Sequence, residues 1–382
     1  VRSRIHPNPD ACRKPVSVSP MKTPPRPLRA AALALAALLS FAPVRAAESY
    51  KVVDSARVGG AGGFDYVFAD ATGRRLYIPR GDRVTVFDLD SLKPAGVIAD
   101  TNRVHGAAVD PQSHHGFSSS SPVVMWDTQT LATIKTIAVE GSPDGILFDP
   151  FNQRVYVLSH RAPNATVIDA KDGSIVGTVD LGGAPEQGAS DGHGHLYFDI
   201  EDNHNVAVVD ANTLKVTAHY DLAGKGGTPA GLALDAKNHV LFACCRNPPT
   251  CVILNADDGR ILATLPIGSG TDGATFNPNT LEAFSSQGDG TLTVIKENSP
   301  TSFQVEQNVA TKAGAKTCTL DSKTNRILLI TADRAPAPAQ AAAPAPGGKE
   351  EGNAKGPRGG RGGGRGQMVP DSFTILVVDR QP

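Results

Sequence analysis

Residues 141–182 read GSPDGILFDPFNQRVYVLSHRAPNATVIDAKDGSIVGTVDLG, and this stretch decides the fold because the chain repeats it. Its apolar residues fall in four short runs: Gly145 to Phe148, Val155 to Leu158, Thr166 to Ile168 and Ile175 to Leu181. Between them lie Asp-Pro-Phe-Asn-Gln, a loop holding Pro163 and Asn164, and Asp172-Gly173. Short β-rich runs bounded by Pro, Asn and Asp-Gly turns predict a four-stranded antiparallel meander, and helical spacing fits none of them. One meander cannot cover both of its apolar faces, so it needs neighbours of the same kind.

Those neighbours are present. An acid or amide closes the first run at Asp70, Asp110, Asp149, Asp191, Asp235, Asn277 and Asp321, a spacing of about 40 residues, which is the period of a propeller blade. A second marker closes the third run in Val86-Phe87-Asp88, Met125-Trp126-Asp127, Val167-Ile168-Asp169, Val208-Val209-Asp210, Ile253-Leu254-Asn255 and Val377-Val378-Asp379. Blade six departs, with Lys296 after Val294-Ile295. The expectation is an all-β, seven-bladed β-propeller of four-stranded antiparallel blades.

The two ends of the repeat region complete each other. Lys51 to Val58 matches a fourth run without its first three, whereas Phe373 to Asp379 is a third run without a fourth. The N-terminal strand is therefore expected to complete the last blade and leave no open edge at the seam. This assigns residues 47–382 to the propeller. Residues 1–20 show no periodicity and read as an upstream segment outside the fold. From Met21 the chain carries Lys22, Arg26 and Arg29, then AAALALAALLSFAPV, and ends the segment at Val44-Arg45-Ala46. Residues 21–46 thus have the parts of a secretory signal peptide, with cleavage expected after Ala46 and Met21 as the start. The apolar run is too short and Ala-rich for a stable membrane span. A periplasmic or secreted monomer is expected.

The repeat region resembles the YVTN-type β-propeller repeat proteins, in their YncE-like group of exported bacterial proteins. The residues carrying the resemblance are Asp65-Tyr66, Arg75-Leu76-Tyr77, Val104-His105-Gly106, Pro143-Asp144, Pro185-Glu186, Leu241-Phe242 with Cys245-Arg246-Asn247, Gly288 to Val294, and Thr317 to Asp321. It extends over nearly all of Tyr50 to Asp379. It implies a seven-bladed propeller and brings no catalytic residues with it. Lys316 stands where the resemblance leads one to expect Arg, which changes hydrogen-bond geometry without changing charge.

In a propeller the first strand of each blade lines the axis, so the position five before each marker forms a ring: Asp65, His105, Asp144, Glu186, Ala230, Asp272 and Lys316. Asp65, Asp144, Glu186 and Asp272 near one axis repel each other, so the channel is wet, or some are protonated, or a cation sits among them. Oxygen ligands favour calcium over zinc for such a cation, with His105 as an extra ligand. Loops between second and third strands should open on the same face and add a mixed-charge rim: Arg80-Gly81-Asp82, His160-Arg161, Glu201 to His204, Arg246-Asn247 and Gln287-Gly288-Asp289. The ligand-contacting set expected from ring and rim is Asp65, His105, Asp144, Glu186, Asp272 and Lys316 with Arg80, Arg161, Arg246 and Asp289.

Other features narrow the function. A net charge of -1 gives no reason to expect nucleic acid as partner. No G-x-S-x-G, H-E-x-x-H or P-loop occurs, and Trp126 is the sole Trp, which counts against the repeated tryptophan docking of quinoprotein dehydrogenases. His193-Gly194-His195 falls in a turn on the face opposite the ring. Cys245 and Cys251 flank the loop Arg246-Asn247-Pro248-Pro249-Thr250, so a Cys245–Cys251 bridge is expected in an oxidising compartment, with Cys244–Cys251 and Cys244–Cys245 as rivals. Cys318 maps to an inner-strand core position.

Blade seven is interrupted at 335–370 by an Ala/Pro and Arg/Gly insertion, a composition expected to remain disordered. Its Arg358, Arg361 and Arg365 are placed to visit the acidic mouth as an electrostatic cover. Two functions remain open. One is an exported binding or interaction module offering a polar ring to a small polar ligand or an exported protein. The other is a calcium-dependent hydrolase of lactones or small polar esters, with the ring carboxylates holding the metal and His105 as base.

Overall fold

In the computed structural model, the described residues are Ser17, Ser19, 49–162, 164–335 and 367–381. The segments read as an upstream stretch and a signal peptide, and most of the 335–370 insertion, lie outside them. Seven four-stranded sheets account for every named strand. Six consist of four consecutive strands in simple meander order, as the repeat demands. The seventh joins Cys318–Asp321, Arg326–Thr331 and Thr374–Gln381 to the N-terminal Ser49–Arg57, which pairs antiparallel with Thr374–Gln381. The seam therefore closes as the half-repeats at the two ends predict.

The repeating acids have a local reason. Asp70 accepts backbone N–H groups from Thr72 and Gly73, Asp110 from Gln112, Asp235 from Lys237 and Asp321 from Lys323, so each caps the turn into its second strand. The third-strand markers repeat the device, as when Asp127 accepts from Gln129 and Thr130. Blade six dispenses with it. Its third and fourth strands, Thr291–Ser299 and Ser302–Ala310, run on past Lys296 and turn only at Ser299/Ser302.

Packing explains why one blade cannot stand alone. The buried apolar side chains form seven clusters, one between each pair of adjacent blades, including the pair across the seam. Trp126 and Tyr77, both fully buried, meet at 5.6 Å between blades one and two. Near the axis the inner strands approach too closely for side chains. A Cβ at Gly145 would lie 2.4 Å from the Glu186 carbonyl oxygen, and one at Gly231 would lie 2.9 Å from the Gly273 backbone. These glycines let neighbouring blades converge and bring the residue beside each of them to the axis.

The cysteine expectation is corrected. Cys244, Cys245, Cys251 and Cys318 are all free and buried. The turn is tighter than the loop suggested, with Arg246 opposite Pro249, and this register sets Cys245 opposite Thr250 and Cys244 opposite Cys251. Because alternate residues face opposite sides of a sheet, Cys245 packs between blades four and five, whereas Cys251 packs between blades five and six with Cys244. A Cys245–Cys251 bridge would have to cross the sheet.

Candidate functional site

The ring positions converge, but not as four repelling carboxylates. A closed circuit of alternating charge surrounds the mouth. His105 Nδ1 lies 2.9 Å from Asp65 Oδ2 and 3.1 Å from Asp144 Oδ1. His160 Nε2 lies 3.3 Å from Asp144 Oδ2 and 3.8 Å from Glu186 Oε1. Arg246 Nη1 lies 3.3 Å from Glu186, and its Nη2 pairs with Asp272. Lys316 pairs with Asp272 and, at 3.0 Å, with Asp65, closing the circuit. Four acids and four bases thus alternate, and all of them but His105 line a cavity of about 460 Å³.

Each side chain is held there by its blade. Blade five contributes Ala230 to the ring position, and this small residue lies between Glu186 of blade four and Asp272 of blade six. Arg246, at the end of the same blade's second strand, bridges that gap. Its Nη1 also donates to Glu201 at 2.8 Å and its Nε to the Thr271 carbonyl at 3.0 Å. Around Lys316, the Ser286 hydroxyl donates to its backbone carbonyl at 2.7 Å, and the Thr317 hydroxyl donates to the Asp65 carbonyl at 2.8 Å. Below the ring a second cavity of about 400 Å³ is lined by the inner strands. There Gln187 ties blades four, five and six, its Oε1 accepting from Leu232 N and Ala274 N and its Nε2 donating to the Ala274 carbonyl.

The electrostatics follow from these contacts. The hydrogen bond to Asp65, reinforced by the Asp144 charge, raises the His105 pKa despite partial burial. Asp144 does the same to His160, which is pushed up to about 9. Burial raises Glu186 to about 7, with Arg246 opposing and Asp144 reinforcing. The Tyr66 hydroxyl donates to Glu186 at 3.0 Å, and burial together with the nearby carboxylates keeps this phenol protonated. Asp199 in blade four is fully buried, neither of its oxygens has a hydrogen-bond partner among the described residues, and burial pushes its pKa well up.

Seven residues expected at the mouth are brought together: Asp65, His105, Asp144, Glu186, Asp272, Lys316 and Arg246. Three are not in the circuit. Arg80 is 3% exposed, donates to the carbonyls of Gly59, Gly60 and Ala61, and lies 3.8 Å over the Phe373 ring, so it fastens the N-terminal segment instead. Asp289 caps its own loop through Ser269 N and Thr291 N, and Arg161 is exposed. The expected calcium set is divided, because Asp272 is engaged by Arg246 and Lys316. The ligand atoms that do converge, within 4.8 Å of one another, form two overlapping groups, Asp65/His105/Asp144 and Asp144/His160/Glu186. The sequence placed His160 and Glu201 only on the rim and gave Tyr66 no role. The shared signal was their place, His160 and Glu201 just past a second strand and Tyr66 beside a ring position.

No protein-family model matches the chain, and no curated protein sequence does. Solved structures are similar to it. One, from the crystal structure of a mitotic checkpoint complex, has a TM-score of 0.65 and 14% identity, covering 79% of this chain and 95% of that one. Another, the crystal structure of RRP9 WD40 repeats, has a TM-score of 0.66 and 11% identity over 87% of this chain and 100% of that one. At such identities the likeness establishes the fold alone: the chain is a seven-bladed β-propeller. Among the described residues, no helix is long and apolar enough to cross a membrane.

Proposed function

We propose that this chain is an exported propeller of the YncE-like group that acts as a binding module, presenting its charged mouth to a small polar ligand or to an exported protein. The observation that carries the reading is the closed circuit of four acids alternating with four bases, seven of which line one solvent-reachable cavity. A ligand carrying both signs can replace internal ion pairs one for one, setting its anionic group on Arg246 and Lys316 and its cationic group on the carboxylates. A purely anionic ligand would leave the displaced carboxylates unpaired, at the cost of desolvated charge. The similarity to a chain within a mitotic checkpoint complex supports a module over an enzyme. Export rests on the reading of residues 21–46.

The test is recovery of co-purifying molecules from a native periplasmic extract, comparing the full chain with Lys316→Gln and Asp144→Asn. The expected result is a species enriched by the parent chain and reduced about tenfold or more by both variants while circular dichroism is unchanged. Equal recovery by all three would overturn the reading.

A further inference from the structure

The geometry points to two adjoining positions for divalent transition-metal ions on one side of the ring, bridged by Asp144: one completed by Asp65 and His105, the other by His160 and Glu186. This deepens the binding reading and rests on it.

The argument starts from a shortage of hydrogens. An imidazole nitrogen carries one hydrogen, yet His105 Nδ1 faces Asp65 Oδ2 at 2.9 Å and Asp144 Oδ1 at 3.1 Å. Only the Asp65 contact has hydrogen-bond geometry. His160 Nε2 likewise faces two carboxylates, Asp144 Oδ2 at 3.3 Å and Glu186 Oε1 at 3.8 Å. One proton cannot satisfy two anions from one nitrogen, whereas a divalent cation between them binds all three donor atoms. Asp144 offers Oδ1 to one group and Oδ2 to the other, the arrangement of a carboxylate bridging two ions about 3.5–4 Å apart.

The donor set selects the ion. Each position supplies one imidazole nitrogen and two carboxylates, which suits zinc and its first-row neighbours, whereas calcium takes six to eight oxygens. The positions are supported from outside: Tyr66 donates to Glu186, and Lys316 holds the second oxygen of Asp65. His105 and His160 are 33% and 38% exposed at the side chain, so ions can enter from solvent. Arg246 Nη1 lies 3.3 Å from Glu186 Oε1 and has to release that oxygen to the second ion, whereas Asp272 on the far side is held by both Arg246 and Lys316, so the proposal is confined to this arc.

The experiment titrates zinc, and separately calcium, into the chelator-treated full chain by calorimetry, with cobalt(II) absorption as a report on nitrogen ligation. The expected result is two zinc ions per chain, bound at least about tenfold more tightly than calcium. His160→Gln and His105→Gln should each retain one ion, and Asp144→Asn neither. Thermal melting of each variant without metal separates loss of binding from loss of fold. Fewer than two zinc ions in the parent chain, calcium bound as well as zinc, or binding unchanged in Asp144→Asn would overturn the proposal. Repeating the periplasmic recovery with chelated protein distinguishes the two readings: recovery that persists without zinc binding keeps the binding module and removes the metal, and zinc binding without any recovered species does the reverse.

Discussion

The two arcs of the ring, one holding a single carboxylate and the other three, offset carboxylate repulsion differently. On one arc, the buried Asp272 sits between Arg246 and Lys316, whose side chains are only partly buried. On the other, Asp144 is faced by His105 and His160 alone, which are charged only while they hold a proton, while Asp65 and Glu186 at its ends share those histidines with Lys316 and Arg246. The first arc is a fixed structural clamp joining blades five, six and seven. The second can exchange its protons for another cation. Identical positions in repeated blades have thus been given different chemistry by single residues: Ala230 with Arg246 in blade five, Asp144 with His160 in blade three.

The comparison can be broken most forcefully at Asp272. Asp272→Asn leaves Arg246 and Lys316 facing a neutral amide in a half-buried setting, and breaking a buried pair in this way costs about 3 kcal/mol. Urea unfolding should show that loss. Asp144→Asn should cost less than half as much, because His105 and His160 can release their protons and become neutral. Equal losses would mean that the arcs do not differ in the way argued.

A smaller effect is expected with pH. His160 is raised from its ordinary 6.5 to about 9, so its stabilising contribution is complete below about 6.5 and is lost as pH rises through about 9. Glu186 is raised from 4.5 to about 7, which lowers stability as pH rises across that interval. Urea midpoints between pH 4 and 10 should therefore fall in two limbs. His160→Gln should flatten the alkaline limb and Glu186→Gln the acidic one, while Lys316→Gln should shift the whole curve without removing either. The smallest effect is reserved for Arg161→Ala. This exposed rim residue lies outside both arcs, and its loss should change stability by no more than about 0.5 kcal/mol and leave the pH profile unaltered.

The oxidation state of the thiols sharpens a separate point of register. If the chain is exposed to a disulfide-forming oxidant, peptide mapping should find Cys244 joined to Cys251, which face each other across two strands, and not Cys245 joined to Cys251. Recovery of the latter would contradict the sheet register itself.

Much of this was legible in the chain because propeller construction is local. The Asp at each turn caps backbone N–H groups two or three residues on, so its recurrence counted the blades, and unmatched half-repeats at Lys51 to Val58 and Phe373 to Asp379 located the seam. The same count placed Asp65, His105, Asp144, Glu186, Asp272 and Lys316 on one ring. What the chain did not disclose depended on distance between blades. Whether Arg80 or Arg246 reaches the axis turns on what each meets: Arg80 finds the carbonyls of Gly59 to Ala61 and the Phe373 ring, whereas Arg246 finds two carboxylates flanking Ala230. The facing of Cys245 likewise hung on a one-residue difference in turn length, which reverses every side chain along a strand. Sequence by itself determined the number of blades and the residues nearest the axis, since those follow from short-range periodicity. Only the tertiary structure decided which charges pair, because ion pairing between blades is set by three-dimensional approach of groups up to 251 residues apart.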